Sequence, residues 1–134
     1  MIGNSGNNIL AGGIGADILE GGLGDDIYVL SDLMDTIIDL GGVDTIRSNL
    51  DIALINDIEN ADLVGIADTT AIGNSLSNSL VGNMADNILE GAGGVDTLTG
   101  GQGADTFVIA NNGCLLYTSP SPRDRSLSRM PSSA

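Results

Sequence analysis

The chain has 134 residues and a formal net charge of −14, from 18 acidic against 4 basic side chains, with no His and no Trp. Arg47 is the only basic residue before position 114, so the chain offers almost nothing to neutralise nucleic-acid phosphates or to hold an anionic membrane surface. The lack of His removes Ser-His-Asp triads and H-E-x-x-H zinc helices, and no apolar run approaches the length of a membrane-spanning helix.

The N-terminal stretch Met1 to Leu10 has neither the basic region nor the apolar core of a signal peptide, and MIGNSGNNIL reads as an entry in mid-repeat. Residues 1–47 then carry a nine-residue ladder, Asn8, Asp17, Asp26, Asp35 and Asp44, with Leu10, Leu19, Tyr28, Ile37 and Ile46 each two residues later. Its best-formed copies are GGIGADILE from Gly12 and GGLGDDIYV from Gly21. Over residues 48–72 the glycines thin out; Asp62 and Val64 still fall on the count, but Gly73 arrives two residues early. The solenoid is expected to continue through part of this spacer, with a bulge or loop between Ser48 and Ile72.

The ladder resumes in residues 73–110 as Asn78, Asn87, Asp96 and Asp105, followed by Leu80, Leu89, Leu98 and Phe107, with GAGGVDTLT from Gly91 and GGQGADTFV from Gly100 as the best copies. Three copies, from Gly3, Gly73 and Gly82, carry Asn where the others carry Asp. They keep the turn but lose the charge, and read as structural layers or weak sites. Residues 111–134 contain the only Cys, all three Pro and three of the four basic residues, without repeat phase, and read as a non-native or disordered tail.

A nine-residue unit cannot bury its own apolar face, so the copies must stack into a solenoid. Gly and Asn suit the turn, and the final three positions suit a short strand whose alternation sends Leu19, Leu98 and Phe107 inward. Stacked strands lie about 4.8 Å apart, so equivalent Asp side chains form a column of like charge. Each adjacent pair repels by roughly 1–3 kcal/mol, against a typical domain stability of about 5–15 kcal/mol. A cation is therefore expected between layers. Carboxylate and carbonyl oxygens without His or Cys disfavour zinc and copper, and the many turn carbonyls suit calcium better than magnesium.

These repeats resemble the repeats-in-toxin (RTX) family of hemolysin-type calcium-binding nonapeptides, a pattern also known as a general example of repeat architecture. The resemblance implies an all-β fold, a right-handed parallel β-roll with two repeats per coil and calcium between turns on one side. Gly3 to Ala11 is then expected to face Gly21 to Val29, and Gly12 to Glu20 the segment from Leu30. Candidate calcium ligands are Asp17, Asp26, Asp96 and Asp105, then Asp25, Asp35 and Asp44, with backbone carbonyls of the turns at Gly12, Gly21, Gly91 and Gly100. The family also implies a secreted, extracellular or cell-surface bacterial protein exported by type I machinery, this chain being a fragment joined to other domains. Two alternatives stay open: the non-catalytic part of a secreted protease, lipase or polysaccharide-modifying enzyme, and a calcium-independent structural or adhesin solenoid. Cys114 to Ala134, with CLLYTSPSPRD and SRMPSSA at its ends, resembles the translation of a transposase-based sequencing adapter.

Overall fold

The computed structural model describes residues 1–110, 115–118 and 125–129, which form turns and short strands without a helix. The strands are β1 (Ile9–Ala11), β2 (Ile18–Glu20), β3 (Ile27–Leu30), β4 (Thr36–Ile38), β5 (Thr45–Ser48), β6 (Ile52–Ala53) and β7 (Asn60–Leu63). They continue as β8 (Thr70–Ile72), β9 (Ser79–Val81), β10 (Ile88–Glu90), β11 (Asp96–Thr99), β12 (Thr106–Ala110), β13 (Leu115–Thr118) and β14 (Arg125–Arg129). Odd-numbered strands join in order into one parallel sheet; even-numbered strands form a second face, divided into β2-β4 and β6-β8-β10-β12-β14. The chain is thus a parallel β-solenoid, and among the described residues no helix is long and apolar enough to cross a membrane.

Register explains the repeat. Ile9 pairs with Ile27, Ile27 with Thr45, and Ile18 with Thr36, so one coil takes 18 residues, or two repeats. This is the next-but-one pairing that the family resemblance implies. The inward position then stacks along the axis. Leu10, Tyr28, Ile46, Ala61, Leu80 and Leu98 line one wall, while Leu19, Ala71, Leu89 and Phe107 face them, all buried. A fully buried side chain of this size contributes about 1.5–3 kcal/mol, but only when the neighbouring layers cover it.

The spacer keeps the solenoid going with a change of stride. Thr45 pairs with Asn60, a step of 15, and Asn60 with Ser79, a step of 19. A short coil followed by a long one leaves the chain two residues behind the 18-residue count, which is why Gly73 comes early. Strands β6, β7 and β8 occupy the stretch expected to hold a bulge or loop. The short coil leaves β4 and β6 unpaired to each other, and a cavity of about 190 Å³ opens there between Leu30, Ile37, Ile46 and Ile52. Asp62, in register by unbroken counting, lies instead on β7 opposite Arg47, with which it forms an ion pair at 2.9 Å. The rung before that strand is Glu59, because the coil is three residues short.

Within the tail, β13 pairs with β11 and β14 with β12, each at a step of 19. The rest of residues 111–134, and the expectation of disorder for it, lie outside the described residues. A solenoid end exposes unpaired backbone groups that any extended segment can meet, so this pairing requires no repeat pattern.

Glycine at the second and fourth positions serves backbone conformation: Gly13, Gly15, Gly22 and Gly24 have φ of 93°, 108°, 101° and 104°. Ala92 occupies the second position of its copy with φ 66°, the one non-glycine in this region among the described residues. A left-handed L-residue costs about 1–2 kcal/mol. Ala92→Gly is therefore expected to raise the unfolding free energy by about 1 kcal/mol in urea melts; an unchanged or lower midpoint would contradict this reading of the turn.

Candidate metal centre

The sixth repeat position lies at the entry to each strand and forms a column along either side of the roll. On the odd-strand side the column runs Asn8, Asp26, Asp44, Glu59, Asn78 and Asp96; on the other, Asp17 and Asp35 are followed, past the break, by Thr69, Asn87 and Asp105. Six backbone N–H groups at this position donate to the acid of the next layer. Asn8 donates to Asp26 Oδ1 (2.7 Å), Asp26 to Asp44 Oδ1 (2.6 Å), Asp44 to Glu59 Oε2 (2.8 Å) and Asn78 to Asp96 Oδ1 (2.9 Å). Asp17 and Asn87 donate likewise to Asp35 Oδ1 (3.0 Å) and Asp105 Oδ1 (2.8 Å).

The first glycine makes room for this arrangement. A Cβ on Gly12, Gly21, Gly91 or Gly100 would overlap the carboxylate of Asp17, Asp26, Asp96 or Asp105 respectively. None of these four has positive φ, so space, not backbone conformation, requires glycine there. The carboxylates are consequently taken out of water: Asp26, Asp44, Asp96 and Asp105 are buried, and Asp17 and Asp35 half-buried. Asp25 stands apart on the exposed rim, where it accepts from Val43 N–H at 3.0 Å while its own N–H donates to Asn7 Oδ1.

For Asp26, Asp35 and Asp44 the ladder satisfies one oxygen and strands the other. The Oδ2 atoms of Asp17, Asp26, Asp35 and Asp44 are buried without a hydrogen-bond partner. Burial pushes the Asp44 carboxyl up to about 7; the Asp26 N–H works against this, and the charges of Asp39 and Asp26 work with it. Burial also raises Asp96, partly offset by the Asn78 N–H. An ionised carboxylate with a desolvated, unpaired oxygen is strongly unfavourable, and a hard cation between layers removes that penalty. The donor set fits calcium: carboxylate oxygens, turn carbonyls, no nitrogen and no sulfur.

Among the described residues one group of three acids converges further. Asp26, Asp39 and Asp44 bring carboxylate oxygens within 4.8 Å of one another. Tyr28 Oη donates to Asp39 Oδ1 at 2.8 Å, and Gly41 N–H to Asp39 Oδ2 at 2.9 Å. Burial, and then the bond to Asp39, raises the Tyr28 hydroxyl, which keeps it a donor. Sequence reasoning passed over Asp39, whose register places it at a first repeat position where a glycine was expected, and over Glu59.

The Asn copies solve the same problem internally. Asn74 Nδ2 donates to the carbonyls of Ile55 (2.6 Å) and Ile58 (2.7 Å), and its Oδ1 accepts from Leu76 N–H (2.9 Å). Asn78 Oδ1 accepts from Asn74 N–H (2.8 Å), while its Nδ2 donates to Glu59 O and Asn74 Oδ1, both at 3.0 Å. Asn83 and Asn87 repeat the arrangement against Val64, Ala67 and Thr69. An amide can donate where a carboxylate cannot, so these layers need no ion to close their polar network. Asn78→Asp removes two donated bonds and adds charge beside Asp96; a loss of about 1–3 kcal/mol per abandoned acceptor is expected in urea unfolding under chelation. Equal stability of variant and parent would contradict it.

Comparison with known families adds to this geometry. A family model described as the RTX calcium-binding nonapeptide repeat matches in four copies, over residues 2–32 and 72–107. No curated protein and no solved structure matches the chain. The matched stretches cover half of its length, skip the segment that carries Asp39 and Asp44, and coincide with the glycine–aspartate turns. The chain belongs to the family of RTX calcium-binding nonapeptide repeats.

Proposed function

We propose that the chain is a module of a secreted bacterial protein that completes its folding when calcium enters between the layers of the roll. The observation that carries this reading is the set of buried, unpartnered carboxylate oxygens on Asp17, Asp26, Asp35 and Asp44. Asp96 and Asp105 occupy equivalent rungs beside Gly91 and Gly100 and join them as ligands, with turn carbonyls at Gly12, Gly21, Gly91 and Gly100 completing the shells. Asp25, on the rim, steers cations toward the turns and holds the Val43 amide.

Extracellular calcium sites work at about 10⁻⁴ to 10⁻³ M. A site with ligand at ten times its dissociation constant gains about 1.4 kcal/mol, so several sites together shift a marginal fold from open to closed. Such a module would stay incompletely folded where calcium is scarce and close after type I export, which is the regulatory value of placing carboxylates in the core. The roll itself is assigned no catalysis; in a secreted enzyme that carries such a module, the activity would belong to other domains.

A second reading, a calcium-independent structural solenoid, is favoured for the layers around Asn74, Asn78, Asn83 and Asn87 by their closed hydrogen-bond network. The two readings divide the molecule, since the ion requirement falls on the Asp layers. Far-ultraviolet circular dichroism of the full chain, chelated and then titrated with calcium or magnesium, tests this division. Partial β-structure under chelation that grows with calcium, and much less with magnesium, is expected; a spectrum indifferent to calcium would overturn calcium-dependent folding.

A further inference from the structure

Asp39 stands where the register of the repeats calls for the first glycine. At Gly12, Gly21, Gly91 and Gly100 the missing side chain leaves room for the acid five residues later. At position 39 a third carboxylate fills that neighbourhood instead, close to both Asp26 and Asp44. Asp26 and Asp44 are 1% and 0% exposed, and each keeps an Oδ2 with no hydrogen-bond partner. The Asp26 Oδ2 and the Tyr28 Oη crowd the same point beside Gly21, where a Cβ would overlap both. Since Tyr28 Oη is bonded to Asp39 at 2.8 Å, the stranded oxygen of Asp26 is aimed into the cluster.

We propose that Asp39 adds a third carboxylate to a calcium-class cation position shared with Asp26 and Asp44, held in place by the Tyr28 hydroxyl. This deepens the calcium reading above and rests on it, but the ligand set differs, because a side chain from the glycine position supplies the third carboxylate. Asp39 also borders an open cleft of about 380 Å³ lined by Gly41, Gly42, Asp57 and Glu59. That cleft gives an ion a route to Asp39, and its acids raise the local concentration of cations. Three hard anionic oxygens favour calcium or a lanthanide over zinc. Tyr28 acts as a positioning residue: its donated bond fixes one oxygen of Asp39 and leaves the carboxylate turned toward its two neighbours.

The place of Tyr28 supplies the assay. Terbium, a hard trivalent stand-in for calcium, emits when a nearby excited tyrosine transfers energy to it. In the full chain, terbium is expected to give sensitised emission that calcium displaces, and Tyr28→Phe to remove the emission and to weaken one site in calorimetry, because the hydroxyl no longer holds Asp39. Asp39→Gly restores the repeat's own glycine and Asp39→Asn keeps the shape. Both should lose the emission and weaken one calcium site by at least about tenfold, the lower end of effects for groups supporting a metal, while the calcium-induced change in circular dichroism persists. Parental emission and stoichiometry in both variants would overturn the site. Calcium binding by the parent without sensitised emission would also overturn it, leaving the wider calcium reading intact. No calcium binding by the parent at all would sink both.

Discussion

A single hydrogen bond, repeated along the roll, organises the rest of the molecule. At six strand mouths the backbone N–H donates to the acid of the next layer, as from Asp26 to Asp44. It draws the carboxylate under the preceding turn, where Gly21, Gly91 and Gly100 leave room for Asp26, Asp96 and Asp105. It satisfies only one oxygen, and the geometry that satisfies it buries the other. Burying a polar atom without a partner is among the costlier things a fold can do, and here the cost recurs layer after layer.

Two chemical answers to that cost coexist in one chain. The Asn layers use the amide, whose Nδ2 reaches carbonyls of the preceding coil, as Asn78 does to Glu59 and Asn87 to Thr69. The Asp layers have no such donor and are open to a cation. Backbone register is common to both kinds, because it depends on the turn and on the inward Leu, Ile, Tyr or Phe. The result is a roll whose frame is continuous and whose proposed ion demand is local, placed around Asp17, Asp26, Asp35 and Asp44 in the first half and Asp96 and Asp105 in the second.

The period and the inward face were legible in the sequence, because a solenoid maps position directly onto space, while the next-but-one pairing was implied by the family resemblance. Leu19, Leu98 and Phe107 are interior for the reason their spacing suggested. Counting failed where one coil took 15 residues instead of 18. There Asp62 left the column for a strand and Glu59 took its rung, since glycine spacing, the cue that sets the phase, is absent from that stretch. Asp39 was hidden for another cause: a carboxylate in a glycine position looks like decay of the repeat until neighbouring coils bring Asp26 and Asp44 beside it. The paired Asn copies did have a signal, a G-N-x-x-x-N spacing at Gly3, Gly73 and Gly82, but its value depends on carbonyls of the preceding coil that spacing cannot show.

The most direct test of this division is amide hydrogen exchange read by segment, with calcium and under chelation. Amides of β3, β5 and the Asp26 to Asp44 ladder are predicted to exchange quickly without calcium and to gain strong protection with it. Those of residues 73–90, closed by their own amide side chains, are predicted to change least. Uniform protection in both conditions, or equal gains along the whole roll, would contradict the claim that the carboxylate layers alone depend on the ion.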